Sequence, residues 1–126
     1  MNKKIKSSFI GIDLHVHTPS SSCYLDEKSD DEYFLIIEKY VEKGIKAIAI
    51  TDHNTIAGYK KILHLINTYK TKIDILSEFK DNAEIHNEVL KIQNKLDVIN
   101  KLIIFPGIEF EADPGIHLLF IFNQKN

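Results

Sequence analysis

The chain has 126 residues, enough for one small domain with its own core, and its composition (44% hydrophobic, 27% charged) is ordinary for a globular protein. A formal net charge of −2 gives no reason to expect binding of a nucleic-acid backbone through bulk electrostatics. No apolar run is long enough for a membrane-spanning helix, and the basic start at residues 1–6 lacks the apolar segment of a signal peptide. The single cysteine cannot form an internal disulfide, so we expect a cytoplasmic protein.

The first predicted element is a strand over residues 9–17 that carries Asp13-Leu14-His15-Val16-His17-Thr18. Side chains alternate along a strand, so His15 and His17 are expected on one side, where two imidazoles can chelate a divalent metal. Asp13 is expected on that same side, where it can accept the other ring N–H of a ligand histidine. The alternative is two satisfied polar residues on a half-buried strand, because this spacing is common by chance.

A helix and a second strand follow a turn-rich loop. Ser29-Asp30-Asp31-Glu32 predicts a capping box at the start of the helix, and Gly44 is a favoured stop. Apolar residues recur at helical spacing within it: Phe34, Ile37 and Val41. Residues 45–50 are apolar on both faces, as is typical of a buried parallel strand, and they end abruptly in Thr51-Asp52-His53.

Two more helices are predicted before the next strand. Asn54 or Thr55 can cap the first, whose apolar stripe consists of Ile56, Tyr59, Leu63 and Ile66. Over residues 81–100, apolar residues recur at alternating steps of four and three, at Ile85, Val89, Ile92, Leu96 and Ile99. We interpret this region as a long amphipathic helix that packs on the outside of the sheet or on the preceding helix. The alternative is a coiled-coil hairpin or dimer contact. His64 and His86 lie away from the apolar stripes.

The last predicted strands carry further polar side chains. One apolar run ends in Pro106-Gly107-Ile108-Glu109, and His117 lies one residue into a very apolar strand over residues 116–122. These groups lie at or near the carboxyl ends of strands, the edge at which parallel α/β folds assemble their sites. The alternatives are a surface role for Glu109, a core role for His117 bonded to a carbonyl, and a helix-start role for Asp52.

Three motifs in the same order, Asp13–Thr18, Thr51–His53 and Pro106–Glu109 followed by His117, resemble those of the PHP (polymerase and histidinol phosphatase) domain family. The resemblance covers residues 9–122. It implies an α/β fold, the amino-terminal portion of a distorted (β/α)7 TIM-like barrel with parallel strands. The family's late motif has no counterpart after Phe122, so we expect residues 1–126 to form a single PHP-like domain that is incomplete at its carboxyl end.

The resemblance also implies a site with two or three divalent metals. Glu109 would bridge two ions, and Asp52 would coordinate or orient a ligand. A Cys23 thiolate can coordinate zinc, although an idle thiol is an equal alternative. Histidines with a shared carboxylate suit Zn, Mn or Fe. The expected metal ligands are His15, His17, Cys23, Asp52, His53, Glu109 and His117, of which His15, His17 and Glu109 are also expected to serve catalysis.

Metal-assisted hydrolysis of a phosphate ester is the reaction class that remains, since the chain has no P-loop, no G-x-S-x-G elbow and no C-x-x-C pair. The substrate is expected to be a phosphomonoester or a nucleic-acid phosphodiester. The likeness is closest to PHP domains joined to an ATPase region, so an ATPase region or a completing chain is an expected partner, and a membrane is not. One alternative is an incomplete half-barrel that serves as a metal-binding or interaction module. An amidohydrolase is another, but the second and third motifs argue against it.

Overall fold

The chain alternates strands and helices in a computed structural model that describes residues 8–25 and 28–124. Residues 1–7, 26–27 and 125–126 lie outside this part. In chain order the elements are β1 (Gly11–Val16), α1 (Asp30–Glu42), β2 (Ile45–Ile50), α2 (Ala57–Leu76), a 3-10 turn (Ser77–Phe79), α3 (Ala83–Ile99), β3 (Ile103–Ala112) and β4 (Ile116–Ile121). Among the described helices, none has both the length and the apolar composition that a membrane crossing requires.

The four strands form one sheet in the order β1-β2-β3-β4. β1 pairs with β2 and β2 pairs with β3, both in parallel, which is the arrangement that strand–helix–strand connections produce. The sheet is curled and mostly parallel, and it forms a half-barrel. The predicted α/β class and barrel portion are therefore confirmed.

β4 departs from the parallel strands that we predicted, because it runs antiparallel to β3. Only residues 113–115 separate the two strands. A parallel connection needs a crossover of about a dozen residues or more. A connection this short can therefore only form a hairpin. Gly115 has a φ of 84°, which favours glycine, and its N–H donates to the carbonyl of Ala112 at 2.8 Å.

The hydrophobic core lies between the sheet and the three helices. β2 supplies its centre, since Ile48 and Ile50 are almost completely buried. The predicted seam of α3 packs there at Ile92, Leu96 and Ile99, with α3 in contact with α1 and α2. The interpretation of residues 81–100 as a helix that packs on its own chain is therefore confirmed. His64 and His86 are exposed on α2 and α3, as expected.

Some predicted helix details are wrong. Ser29 precedes α1 but makes no capping hydrogen bond through its side chain. The Glu32 carboxylate accepts the Tyr24 hydroxyl at 2.6 Å instead of completing a capping box. The residue that precedes α2 is Ile56, although Thr55 Oγ1 accepts the Ala57 N–H. The stripe of α2 is also displaced: Ile56 and Leu63 are exposed, and the buried positions are Gly58, Ile62, Leu65 and Tyr69.

Both edges of the half-barrel expose apolar side chains. In β1, Ile12 is 57% exposed, and every residue of β4 is exposed, including Leu118 and Phe120 at 48% and 46%. Edge strands with open backbone groups and apolar side chains are surfaces on which another strand can pair. The apolar face of the sheet is therefore only partly covered by the described part of the chain.

Candidate metal centre

Five polar side chains meet at one edge of the sheet, and we call them the Glu109 cluster: His15, His17, His53, Glu109 and His117. The backbone holds them together because pairing continues beyond the end of β2. His53 forms a parallel bridge with Glu109, the Glu109 N–H donates to the Asp52 carbonyl at 3.0 Å, and the Asn54 N–H donates to the Glu109 carbonyl at 2.9 Å. This continuation places the residues after β2 beside the middle of β3.

Glu109 is the centre of the cluster. It is only 4% exposed, and its two carboxylate oxygens face different imidazoles. Oε2 lies 2.8 Å from His15 Nε2 and 2.6 Å from His17 Nε2, and Oε1 lies 2.8 Å from His117 Nδ1. The Nε2 atoms of His15 and His17 are 3.2 Å apart. A carboxylate whose oxygens serve separate sets of nitrogens has the form of a bridging ligand.

Electrostatics keep Glu109 ionised. Burial raises the pKa of its carboxyl group, but the hydrogen bonds from His15, His17 and His117, together with the charge of His15, outweigh burial and lower the pKa to about 2. A metal ligand must be deprotonated, so this carboxylate is ready to bind a cation at neutral pH.

His53 completes the cluster from the loop after β2. Its Nε2 lies 3.7 Å from Glu109 Oε2, and its Nδ1 lies 3.8 Å from Glu111 Oε2. Nδ1 is buried and has no hydrogen-bond partner within the described residues. Buried ring nitrogens normally have a partner, so an orphaned one beside a carboxylate is an available metal donor.

Cys23 approaches the cluster from the loop after β1. Its Sγ lies 3.0 Å from His17 Nδ1 and 3.4 Å from Ser21 Oγ, and its side chain is exposed. His17, Cys23 and His53 form one group whose potential ligand atoms all lie within 4.8 Å of one another. The groups His15–His17–Glu109 and His53–Glu109–His117 meet the same limit.

The donor set fits divalent transition metals. Imidazole nitrogens and carboxylate oxygens are ligands of Zn²⁺, Mn²⁺ and Fe²⁺, and thiolate adds a preference for zinc. Within each of the three groups, the nitrogen, oxygen or sulfur atoms lie as close together as neighbouring ligands of one ion. The overlap of the three groups at Glu109, His17 and His53 suits more than one ion.

Asp52 lies beside the cluster but not in it. It is completely buried, Oδ1 accepts the Thr18 N–H at 2.6 Å, and Oδ2 accepts the Thr18 hydroxyl at 2.7 Å. A Cβ on Gly58 would lie 2.0 Å from Asp52 Oδ2, so the first turn of α2 closes over this pair. The predicted ligand role of Asp52 is therefore not supported, because both oxygens hold the loop after His17 in place.

Asp13 also has a different role from the one that we predicted. Its carboxylate accepts the backbone N–H of His15 at 3.0 Å and the Tyr40 hydroxyl at 2.9 Å rather than an imidazole N–H. The β1–β2 register is irregular between Asp13 and Val16, which breaks the ideal alternation along the strand. Burial, the hydrogen bond to Asp13 and the charge of Asp13 raise the pKa of Tyr40 to about 12.

Sequence reasoning missed three supporting residues. Thr18 ties to Asp52, the Ser21 hydroxyl accepts the His53 backbone N–H at 3.1 Å, and Glu111 lies 4.0 Å from His117 Nε2. Thr18 stands inside the first motif, and that position was the available signal. Nothing local distinguishes Ser21 from its neighbouring serines.

The PHP domain model matches residues 13–117, which is most of the chain and includes the whole Glu109 cluster. No curated protein and no solved structure matches the chain. The matched span begins at the first motif and ends at His117, so it coincides with the segments that the fold brings together. The chain therefore belongs to the PHP domain family.

Proposed function

We propose that the protein is a metal-dependent phosphoesterase. The observation that supports this function best is the position of Glu109, whose two oxygens contact three imidazoles at 2.6–2.8 Å. Asp52, by contrast, is satisfied by the backbone N–H and the hydroxyl of Thr18. A buried carboxylate surrounded by imidazoles is instead typical of a metal site, where each side chain offers a lone pair to a shared cation.

The cluster residues would divide the ligand roles between them. His15 and His17 would hold an ion with Glu109 Oε2, and His53 and His117 would hold another with the same carboxylate. When bound, such ions polarise a phosphoryl oxygen and lower the pKa of a bound water toward neutrality. The protein's own contribution is to fix the ligands. Thr18 and Asp52 hold the end of β1 against the loop after β2, and the bridge between His53 and Glu109 sets the spacing of β2 and β3.

We infer that the metals are Zn, Mn or Fe, in a number of two or three, because the donors are nitrogen and carboxylate oxygen rather than oxygen alone. The substrate class is a phosphate ester. A nucleic-acid phosphodiester and a small phosphomonoester are the two forms that an assay must separate, and an ATPase region is the partner that we propose for the former.

A metal-loading experiment tests the proposal. Protein stripped with a chelator is reloaded with Zn²⁺, Mn²⁺ or Fe²⁺, its metal content is measured, and hydrolysis of bis(p-nitrophenyl) phosphate and p-nitrophenyl phosphate is followed. We expect metal-dependent hydrolysis that Glu109→Gln abolishes. Glu88→Gln, which changes an exposed carboxylate on α3, should leave it intact. Metal binding without hydrolysis of either ester contradicts the catalytic proposal.

A second candidate function is a metal-binding or interaction module without turnover. It is favoured by the exposed apolar edge at β4, where Leu119 and Ile121 are 43% and 40% exposed. Such an edge suits pairing with another chain. Stoichiometric metal binding with no hydrolysis by the full-length chain would favour this function over catalysis.

A further inference from the structure

His53 differs from the other imidazoles of the Glu109 cluster because no hydrogen bond within the described part of the chain holds its ring. Ring nitrogens of His15, His17 and His117 lie 2.6–2.8 Å from the Glu109 carboxylate oxygens. His53 Nε2 lies 3.7 Å from Glu109 Oε2, and His53 Nδ1 is buried with no partner among the described residues. The position of this ring must therefore be set by the backbone that carries it.

The backbone on each side of the His53 ring is tied to a neighbouring segment. On the amino-terminal side, the His53 N–H donates to Ser21 Oγ at 3.1 Å. On the carboxyl-terminal side, the Asn54 N–H donates to the Glu109 carbonyl at 2.9 Å, and Asn54 Oδ1 accepts the Glu111 N–H at 3.3 Å. Asn54 therefore bonds to β3 both through its backbone and through its side chain, directly after the residue whose ring has no support of its own.

The backbone conformation of Asn54 makes asparagine a suitable residue at this position. Its φ is 53°, and in the described ranges it is the one non-glycine residue with a positive φ. Asparagine and aspartate adopt this left-handed conformation more readily than other residues that have a side chain. Alanine would be strained here, and it would also lack the oxygen that accepts from Glu111. Two separate properties of asparagine thus hold the loop against β3.

The next residue, Thr55, has a different role in the same loop. Its Oγ1 accepts the Ala57 N–H at 3.1 Å, at the first turn of α2. The side chain of Asn54 thus ties the loop to β3, and the side chain of Thr55 ties it to α2. Because the two ties belong to different residues, each can be removed without the other.

We propose that Asn54 is a positioning residue that fixes the His53 ring beside Glu109 in the metal-free protein. The purpose of this placement rests on the proposed metal centre. A ligand ring that moves freely must be ordered when the ion binds, and the entropy lost at that step weakens binding. With Asn54 in place, the ring is ordered before the ion arrives. Residues that orient a metal ligand typically contribute about 10-fold to 100-fold to metal affinity.

Proton NMR of the chelator-stripped protein gives the first readout, and it requires neither metal nor activity. The ring centroids of His17 and His53 are 4.7 Å apart, so we expect nuclear Overhauser cross-peaks between their ring protons. The cross-peaks should persist in Asn54→Asp, which keeps the acceptor and tolerates the positive φ, and should disappear in Asn54→Ala. Wild-type intensity in Asn54→Ala, or no cross-peak in the wild type, would overturn the proposal.

Asn54→Gly keeps the test decisive if Asn54→Ala does not fold. Glycine retains the positive φ and removes only the side-chain acceptor, so we expect weakened cross-peaks and faster hydrogen exchange of the Glu111 amide. Wild-type cross-peaks together with faster exchange at Glu111 would show that the side-chain tie does not position the ring, and would contradict the proposal.

Zinc affinity, measured by isothermal titration calorimetry, gives the second readout. We expect Asn54→Asp to keep the zinc Kd within about twofold, Asn54→Gly to weaken it about fivefold and Asn54→Ala about twentyfold. Thr55→Ala is the matched control, because it should lower the urea midpoint by removing a bond to α2 and still leave the zinc Kd unchanged. Equal losses of affinity in Asn54→Ala and Thr55→Ala would mean a general weakening of the loop and would overturn the proposal.

The metal centre and the role of Asn54 fail in different ways. If the chain binds no zinc but the ring cross-peaks are present in the wild type and lost in Asn54→Ala, the metal centre is refuted and the positioning of His53 stands. If zinc binds tightly and neither the cross-peaks nor the zinc Kd respond to Asn54→Ala, the metal centre stands and the proposal for Asn54 is wrong.

Discussion

Two buried carboxylates, Asp52 and Glu109, lie side by side in the fold but belong to different regions of it. Asp52 is completely buried, and both of its oxygens accept from Thr18, one from a backbone N–H and one from a hydroxyl. Glu109 is almost as deeply buried, but its oxygens accept from imidazole nitrogens. The kind of hydrogen-bonding partner, rather than burial, distinguishes the carboxylate that holds the chain in place from the one at the candidate metal centre.

Their electrostatics differ in the same way. Burial raises the pKa of Asp52, and the hydrogen bonds from Thr18 and the nearby His17 and His53 only partly oppose it. Around Glu109 the imidazole hydrogen bonds outweigh burial, and the pKa falls to about 2. The two regions should therefore respond differently to substitution, with Asp52 affecting stability and Glu109 affecting metal affinity.

The largest expected effect is the loss of metal affinity in the Glu109→Gln variant. The amide has one acceptor oxygen and no charge, so it cannot bridge two ions, and we expect zinc affinity to fall at least about a thousandfold, roughly 4 kcal/mol. Isothermal titration calorimetry of the chelator-stripped protein measures this change. Retention of more than one tightly bound zinc per chain in Glu109→Gln would erase the distinction between the two carboxylates.

The next largest expected effect is the loss of folding stability in the Asp52→Ala variant. The substitution leaves the buried Thr18 N–H and hydroxyl without partners, so we expect the free energy of unfolding of the metal-free protein to fall by about 3 kcal/mol. Urea denaturation followed by circular dichroism measures it. In a double-mutant cycle with Thr18→Val, the two substitutions should be coupled, because they remove the same hydrogen bond. Additive losses would contradict a direct tie between the two side chains.

A pH series should distinguish Glu109 from Asp52 by the sign of the slope of the unfolding free energy against pH. The pKa of Glu109 falls from 4.5 to about 2 on folding, so its stabilising contribution is complete above 4.5 and is lost as the pH falls toward 2. The pKa of Asp52 is raised above 3.8, so its titration favours the folded state below 3.8 and opposes it as the pH rises through the folded value. Urea unfolding of the metal-free wild type, Glu109→Gln and Asp52→Asn across this range measures the effect. The stability of wild type relative to Glu109→Gln should rise with pH, and its stability relative to Asp52→Asn should fall with pH.

The smallest expected effect belongs to Glu111→Gln. Its carboxylate lies 3.8 Å from His53 Nδ1 and 4.0 Å from His117 Nε2, and it is half exposed. Solvent screens such a charge, so we expect zinc affinity to fall only about twofold to threefold. Calorimetry under the conditions used for Glu109→Gln makes the comparison direct, and a loss as large as that of Glu109→Gln would show that Glu111 is itself a ligand.

Much of this arrangement can be predicted from the sequence. Alternating apolar runs and amphipathic segments predict the parallel β1, β2 and β3 and the packing of α3, because burial on both faces of a strand requires continuous apolar residues. The motifs place polar side chains at strand ends, and the fold brings His15, His17, His53, Glu109 and His117 together. The orientation of β4 was also predictable, since the six residues between Glu109 and the predicted strand over residues 116–122 are too few for a crossover.

Other features depend on tertiary contacts that no local pattern encodes. Tyr24 takes the Glu32 carboxylate away from the expected capping box. The register of β1 is irregular after Asp13, and the Asp13 carboxylate accepts the Tyr40 hydroxyl rather than an imidazole N–H. Asp52 reads as a candidate ligand beside His53, and only its pairing with Thr18, 34 positions earlier, identifies it as structural.

Anomalous X-ray diffraction at the zinc absorption edge, from crystals of the zinc-loaded chain, tests most directly whether imidazoles and one carboxylate share their ions. We expect at least two peaks that flank the Glu109 carboxylate, one ligated by His15 and His17 and the other by His53 and His117. Peaks confined to other parts of the surface, or a peak ligated by Asp52 with none beside Glu109, would contradict the assignment of Glu109 as the bridging ligand.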